Sequence, residues 1–363
     1  MSMGIVRTSL KTLKQELVGR WHRRVHYVTD AANWSFKWDA HYIAQGLERR
    51  LHDRVPIITA PWALRHQVIL FGNRGAFFSD LRKQLHPSND LFLIWFHGDL
   101  ATKDPVMERM FAQMPSALER VRKVIVSCQI SRRVLMAHGV PGALIELIPL
   151  GVDLTRFRPS QPEERREIRA ALDIPEEAFC IGSFQKDGVG WEAGDEPKWI
   201  KGPDLLIGLL ERIRGVHPHL MVLLTGPARG YVKRHLERLG IPYRHYFLED
   251  YLQIVRYYQA LDLYAITSRV EGGPKALMES WACGVPVVSS RMGMPADWIL
   301  DGQNGFLSEV GEVQQMAEQV ITLMRDPLLR ERIRTGGLES VRGLDWEWVA
   351  GQYHQLFLSC GVL

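Results

Sequence analysis

LYAITSRVEGGPKALMESWACGVPVVSS, residues 263–290, is the stretch whose reading decides the fold. Leu263 to Thr267 is a short apolar run with β-branched members and reads as a buried strand. Val285 to Val288 reads as a second strand, and the residues between them as a short helix, which makes a βαβ unit. Glu271 stands in the turn after the first strand. Gly272 and Gly273 let the backbone approach a ligand, and Pro274 suits the first helical position, where its missing N–H costs nothing. Glu279 falls about a turn and a half into the helix, and Gly284 ends it. Glycine amides at the positive end of a helix, beyond the carboxyl end of a parallel strand, make a seat for a phosphate or a sugar hydroxyl. An anionic ligand is therefore expected here. On the two glutamates alone, a loop carboxylate and a helix-surface residue is an equal reading.

The spacing from Glu271 to Glu279, with Gly-Gly-Pro and Ala-Leu-x-Glu between, resembles the E-x7-E signature of retaining glycosyltransferases of the GT-B fold, the large family numbered four. The resemblance implies that Glu271 lies beside the donor sugar and that Glu279 binds the ribose of the nucleotide. It places Gly272, Gly273, Pro274 and Lys275 in the same donor site.

Composition bounds the rest. A chain of 363 residues is expected to form two domains. The 46% apolar and 24% charged content is that of an ordinary globular protein. No apolar run approaches the roughly 18 residues that span a bilayer. Arg7, Lys11, Lys14 and Glu16 interrupt the first apolar residues, so no signal peptide is expected and the reading is cytoplasmic. Cys128, Cys180, Cys283 and Cys360 are scattered, which suggests neither a zinc site nor a disulfide framework. Residues 1–158 carry 23 Lys and Arg against 13 Asp and Glu, and the remainder 22 against 28. The basic first half suggests an acidic or membrane-surface partner; solvated surface charge is the alternative.

Residues 1–24 place Val6, Leu10, Leu13, Leu17 and Trp21 on one helical stripe, with basic residues largely on the other faces. Such a helix either lies on an anionic membrane, as a peripheral anchor, or docks on the first domain. Val25 to Thr29 is the first expected strand, with its turn at Asp30 to Trp38 and a helix from Asp39 to Leu51. Where the family has a glycine-rich turn, this chain has Asn33, Trp34, Phe36 and Trp38, read either as an aromatic platform for sugar rings or as a core plug. Strand-like runs follow at Pro56–Thr59, Val68–Phe71, Leu91–Phe96, Val124–Ser127 and Leu144–Leu150, alternating with helical ones, as in a doubly wound parallel sheet. His97-Gly98-Asp99 stands at a strand's carboxyl end. The resemblance implies a histidine close to the donor sugar there, and Asn33, Trp34 and Asp99 are expected on the acceptor side.

Residues 124–159 resemble the family's end of the first domain, with Gly151, Val152, Asp153, Phe157 and Pro159 opening the interdomain linker, expected near 152–176. The second domain opens with a strand at Phe179–Phe184, then Lys186, a polar excursion, and Lys201-Gly202. The resemblance implies that two cations here clamp the donor diphosphate, a position Lys201 fits closely and Lys186 less so. Two cations can neutralise the charge that builds on a departing nucleotide. Gly188-x-Gly190-x-x-x-Gly194 has the wrong spacing for a dinucleotide fingerprint and reads as a flexible loop. Further strands are expected at Leu220–Thr225 and His245–Leu248, and a helix at Tyr251–Leu261. In the family the donor meets the backbone around positions matching Gly226 and Leu248. Trp346 and Trp348 are expected to pack in the closing helix.

The chain thus looks like a GT-B retaining glycosyltransferase: α/β, two Rossmann-like doubly wound domains facing across a cleft. The expected divisions are an N-terminal helix 1–24, an acceptor-side domain 25–155, a nucleotide-sugar domain 156–340, and a C-terminal helix 341–363 crossing back. Glu271, His97 and Lys201 are the candidate catalytic residues. The implied substrates are a nucleotide sugar and a glycan or lipid-linked acceptor, with no nucleic-acid partner and no cofactor. No Asp-x-Asp pair occurs, so no metal is expected. Alternatives are another GT-B enzyme, such as an epimerase or phosphorylase, and a non-catalytic sugar-binding or partner protein of that shape.

Overall fold

A computed structural model describes residues 23–29, 35–79, 84–98, 102 and 104–363. The amphipathic stretch 1–22 and the candidate residues Asn33, Trp34 and Asp99 lie outside these. The chain divides into two compact units, the first formed by residues up to Val126 with Arg132–Ile148 and Trp346–Leu363, the second by Ser127–Ser131 and Pro149–Asp345.

In the first unit, six parallel strands run β1 (Val25–Val28), β2 (Ile57–Ile58), β3 (Val68–Phe71), β4 (Asp90–Trp95), β5 (Val121–Val126) and β6 (Ile145–Leu147). Their order is β2-β1-β3-β4-β5-β6. The sequence of β1, β3 and β4 is nearly continuous in apolar residues, because helices cover both faces of such a sheet, and every residue of these strands is buried. The helix Trp346–Ser359 belongs to this unit and packs on the helix Ser35–Leu51. Gly46 permits that approach, since a Cβ there would collide with that of Ala350. Tyr42 stacks on Trp346 at 5.5 Å. Trp348, expected to pack, is exposed instead.

The helix starts at Ser35, four residues earlier than the periodicity suggests, and takes in Phe36 and Trp38. Trp38 lies near the rings of His41 and Tyr42, so it is a helix residue and not part of an open turn. Aromatic residues have ordinary helix propensity, so a cluster of them does not mark a loop.

In the second unit the strands are β7 (Phe179–Phe184), β8 (Leu220–Thr225), β9 (Tyr243–Tyr246), β10 (Leu263–Ile266), β11 (Val287–Ser290) and β12 (Phe306–Ser308). The order is β12-β11-β10-β7-β8-β9, again parallel. β11 begins two residues later than read from sequence. Pro286 has no N–H to give a ladder and serves through its carbonyl, which accepts from the Tyr264 amide at 2.9 Å. β9 likewise ends at Tyr246, so Leu248 lies beyond it. The expected helix at Tyr251–Leu261 is a 3₁₀ turn, Tyr251–Gln253, followed by the helix Ile254–Gln259.

Both sheets reverse direction once. In the second unit the chain grows outward to β8 and β9 on one side of β7 and to β11 and β12 on the other side of β10. The reversal lies between β7 and β10, and ligands of open α/β sheets bind beyond the carboxyl ends of the strands at such a point.

Candidate active site of the second unit

The residues after β7 and β10 meet at that reversal. Lys201 ends a 3₁₀ turn, Trp199–Lys201, which is joined to the turn after β10 by backbone hydrogen bonds: the amides of Arg269 and Val270 both donate to the Ile200 carbonyl. Gly202 follows with φ +60°, and a Cβ there would collide with the Thr267 carbonyl oxygen. The Thr267 hydroxyl donates to the Gly202 carbonyl at 3.0 Å. These constraints set the Lys201 ammonium 2.9 Å from Glu271 Oε1. The Ser268 hydroxyl donates to the same oxygen at 2.6 Å and approaches Gln185 Oε1 at 3.3 Å, while the Gln185 amide donates to the Lys201 carbonyl at 3.1 Å. Ser268 and Gln185 were not anticipated. Their signal was weak, one lying three residues before Glu271 and the other at the end of β7.

Glu271 is thus a partly buried carboxylate with one oxygen shared by an ammonium and a hydroxyl. A carboxylate is an acceptor suited to hydroxyls such as those of a sugar. Gly272 and Gly273 follow it. The Gly272 carbonyl accepts from the Met294 amide at 2.7 Å, and Gly293 packs against this same backbone with φ +54°. A Cβ at Gly273 would press on Leu150 and Met294 at 2.8 Å. Pro274 is the N-cap and not the first helical residue of the helix Lys275–Ala282; its ψ of 114° is still extended.

Glu279 is 3% exposed and does not lie on the helix surface. The Tyr258 hydroxyl donates to Oε2 at 2.7 Å and the Tyr251 hydroxyl to Oε1. The Lys275 ammonium lies 5.4 Å from the Tyr251 ring centre. Gly226, with φ +87°, turns its carbonyl to His245 Nε2 at 2.7 Å. Burial lowers the His245 pKa more than this bond raises it.

The excursion 187–200, expected to be flexible, is pinned. Asp187 and Arg229 form an ion pair at 3.0 Å with both side chains fully buried. Arg229 also donates to the carbonyls of Ser183, Gln185 and Thr225 at 2.6–3.0 Å, so the loop is tied to the ends of β7 and β8. Burial raises the Asp187 pKa, against the lowering pull of Arg229. The amides of Gly230 and Tyr231, at the start of the helix Gly230–Leu239, donate to the Ala193 and Gly194 carbonyls. Lys186 sits over the exposed ring of Trp191, 3.8 Å from its centre.

Arg269, in the same turn as Glu271, donates to both oxygens of Asp204 at 2.8 and 2.5 Å. These bonds hold the Asp204 carboxyl below its ordinary value of 3.8. The folded chain then takes up this proton less readily than the unfolded one. The stability it supplies is present above about pH 4 and is lost as pH falls through the lowered pKa. Denaturant titrations between about pH 5 and pH 3 are expected to show a smaller loss of stability in Asp204→Asn than in the wild type.

His97 follows β4 at the carboxyl edge of the first sheet and is half-buried. Among the described residues, no group of three or more His, Cys, Asp or Glu is arranged to hold a metal ion, and no helix is long and apolar enough to cross a membrane.

Comparison with known proteins adds a match over part of the chain. Residues 196–339 match the family model described as Glycosyl transferases group 1. The D-inositol 3-phosphate glycosyltransferase of Mycobacterium tuberculosis (strain ATCC 25618 / H37Rv) is 29% identical over 219 residues, 57% of this chain and 42% of its own length. The match therefore spans less than half the length of such curated relatives. Among solved structures, Anabaena HepE in complex with UDP-glucose aligns with a TM-score of 0.74 at 19% identity, covering 93% of this chain and 100% of that one. Sucrose-phosphate synthase from Thermosynechococcus elongatus aligns with a TM-score of 0.74 at 17% identity, covering 93% and 99%. The fold is GT-B.

Proposed function

We propose that this chain, a glycosyl transferases group 1 protein in residues 196–339 and GT-B in fold, is a retaining glycosyltransferase moving a sugar from a nucleotide-sugar donor to a glycan or lipid-linked acceptor. The observation that carries the reading is the Lys201–Glu271 pair at the carboxyl ends of β7 and β10, with Glu279 held in the next helix. In this reading the nucleotide diphosphate lies against Lys201. Negative charge grows on it as the glycosidic bond breaks, and a fixed ammonium is favourable to that charge at no cost of reorganisation. Glu271 holds the sugar by its hydroxyls, and Glu279 accepts from the ribose. Retention follows if the acceptor attacks from the leaving-group side, its proton passing to a donor phosphate oxygen. A role in surface-polysaccharide or glycolipid synthesis is part of the proposal.

UDP is the first nucleotide to test, because HepE is solved with UDP-glucose. Calorimetry of UDP, GDP and ADP sugars against the whole chain is expected to find one good binder. Glu279→Ala should weaken it by roughly tenfold or more, the value of a hydrogen bond to a charged group. Slow hydrolysis of the bound donor completes the case. Binding of none of the three by the wild type would replace this reading with a non-catalytic one.

A further inference from the structure

The first unit has a reversal point of its own, between β1 and β3, and a cation stands beside it. Arg74 lies three residues past β3 and opens the short helix Arg74–Phe78, which the Asn73 side chain caps by accepting from the Gly75 and Ala76 amides at 2.7 and 3.3 Å. Its guanidinium carbon is 5.2 Å from the centre of the Trp95 ring, at the end of β4. A Cβ on Gly98 would come within 3.5 Å of Nη1. The group therefore sits at the carboxyl edge of β3 and β4.

Among the described residues, Arg74 Nη1 is buried and has no acceptor. The buried indole Nε1 of Trp95 has none among them either, so the described part of this corner has donors without acceptors. Asp104 attracts the guanidinium from a distance, but its own Oδ1 caps the following helix by accepting from the Val106 amide. Burial outweighs that attraction and lowers the Arg74 pKa to about 10, which still leaves it charged at neutral pH.

Two buried guanidinium groups, Arg169 and Arg229, have acceptors for their terminal nitrogens, although the Nε of each has none among the described residues. Arg169 donates to the carbonyls of Ala260, Pro175 and Ala178 and to Asp262. Arg229 donates to three carbonyls and pairs with Asp187. A half-buried cation whose inner nitrogen lacks an acceptor is costly, and the cost is offset when a ligand supplies one. The fork of a guanidinium matches the paired oxygens of phosphate and carboxylate.

We propose that Arg74 recognises an oxyanion, a phosphoryl or carboxylate group carried by the acceptor, and thereby selects anionic over neutral acceptors. This rests on the transferase reading above and names the acceptor class that reading leaves open.

The test titrates inorganic phosphate, D-glucuronate and D-glucose into the full chain at low ionic strength, by calorimetry, for wild type, Arg74→Gln and Arg74→Lys. The wild type is expected to bind phosphate or glucuronate more tightly than glucose. Arg74→Gln should weaken the preferred anion by roughly tenfold. Arg74→Lys, which keeps the charge but loses the fork, should fall between, and it stands in if Arg74→Gln fails to fold. Phosphate and glucuronate distinguish the two oxyanions. Equal anion affinities in wild type and variants, or no binding of either anion by the wild type, would overturn the proposal. Both Lys186 and Lys201 are present in every variant, so anion binding in the second unit contributes equally to each. Failure of the transferase reading shows separately, as absence of nucleotide-sugar binding by the wild type.

Discussion

Replacing Lys201 by Ala is expected to lower turnover by about 10²–10³-fold, while nucleotide affinity falls much less. The ammonium has two jobs in the structure. It lies 2.9 Å from Glu271 Oε1, and the Gly202 and Thr267 contacts fix it at the carboxyl ends of β7 and β10. In the proposed transferase reading the ammonium faces a group that becomes more negative as the bond breaks, which favours the transition state over the bound donor, so its removal appears mainly in kcat. Losing it also removes the ammonium from the oxygen that Ser268 donates to. Lys201→Arg keeps the charge but not the point geometry, and should recover only part of the loss. Steady-state kinetics of transfer, with UDP binding followed by calorimetry, separates the two effects. A loss of nucleotide affinity with kcat unchanged would show that Lys201 acts on the ground state only.

The second large effect is on stability. Arg229→Met is expected to cost about 3–5 kcal/mol, because it leaves the carboxylate of Asp187 buried without its cation. Both side chains are fully buried, and Arg229 is the cation paired with the Asp187 carboxylate. Three carbonyls, at Ser183, Gln185 and Thr225, also lose their donor. Asp187→Asn should be milder, since it removes the charge together with the need to neutralise it. Urea titrations of the two variants give the comparison, and a loss under 1 kcal/mol for Arg229→Met would contradict this account.

Much of the fold was legible because buried parallel strands are written in consecutive apolar residues. β3, β7 and β8 fall where the runs Val68–Phe71, Phe179–Phe184 and Leu220–Thr225 place them. The boundaries that moved have local causes, Pro286 delaying β11 and aromatic residues extending a helix back to Ser35. Glu271 and Glu279 could be singled out because a short turn and a helix hold them at a fixed spacing. Their partners could not. Ser268, Gln185, Tyr251 and Tyr258 reach the glutamates through tertiary contacts with no periodicity, and Asp187 finds Arg229 across 42 positions of chain. The excursion 187–200 was read as flexible from its glycines and charges, yet one buried ion pair decides its behaviour.

The close seating of Gly202 under Thr267 has a consequence for redesign. The segment bearing the lysine and the segment bearing the glutamate are keyed together by a residue that admits no side chain. Swapping either one alone from a homologous sequence would break the key, so residues 199–202 and 267–273 form a single cassette that must be exchanged as a unit when donor preference is to be altered.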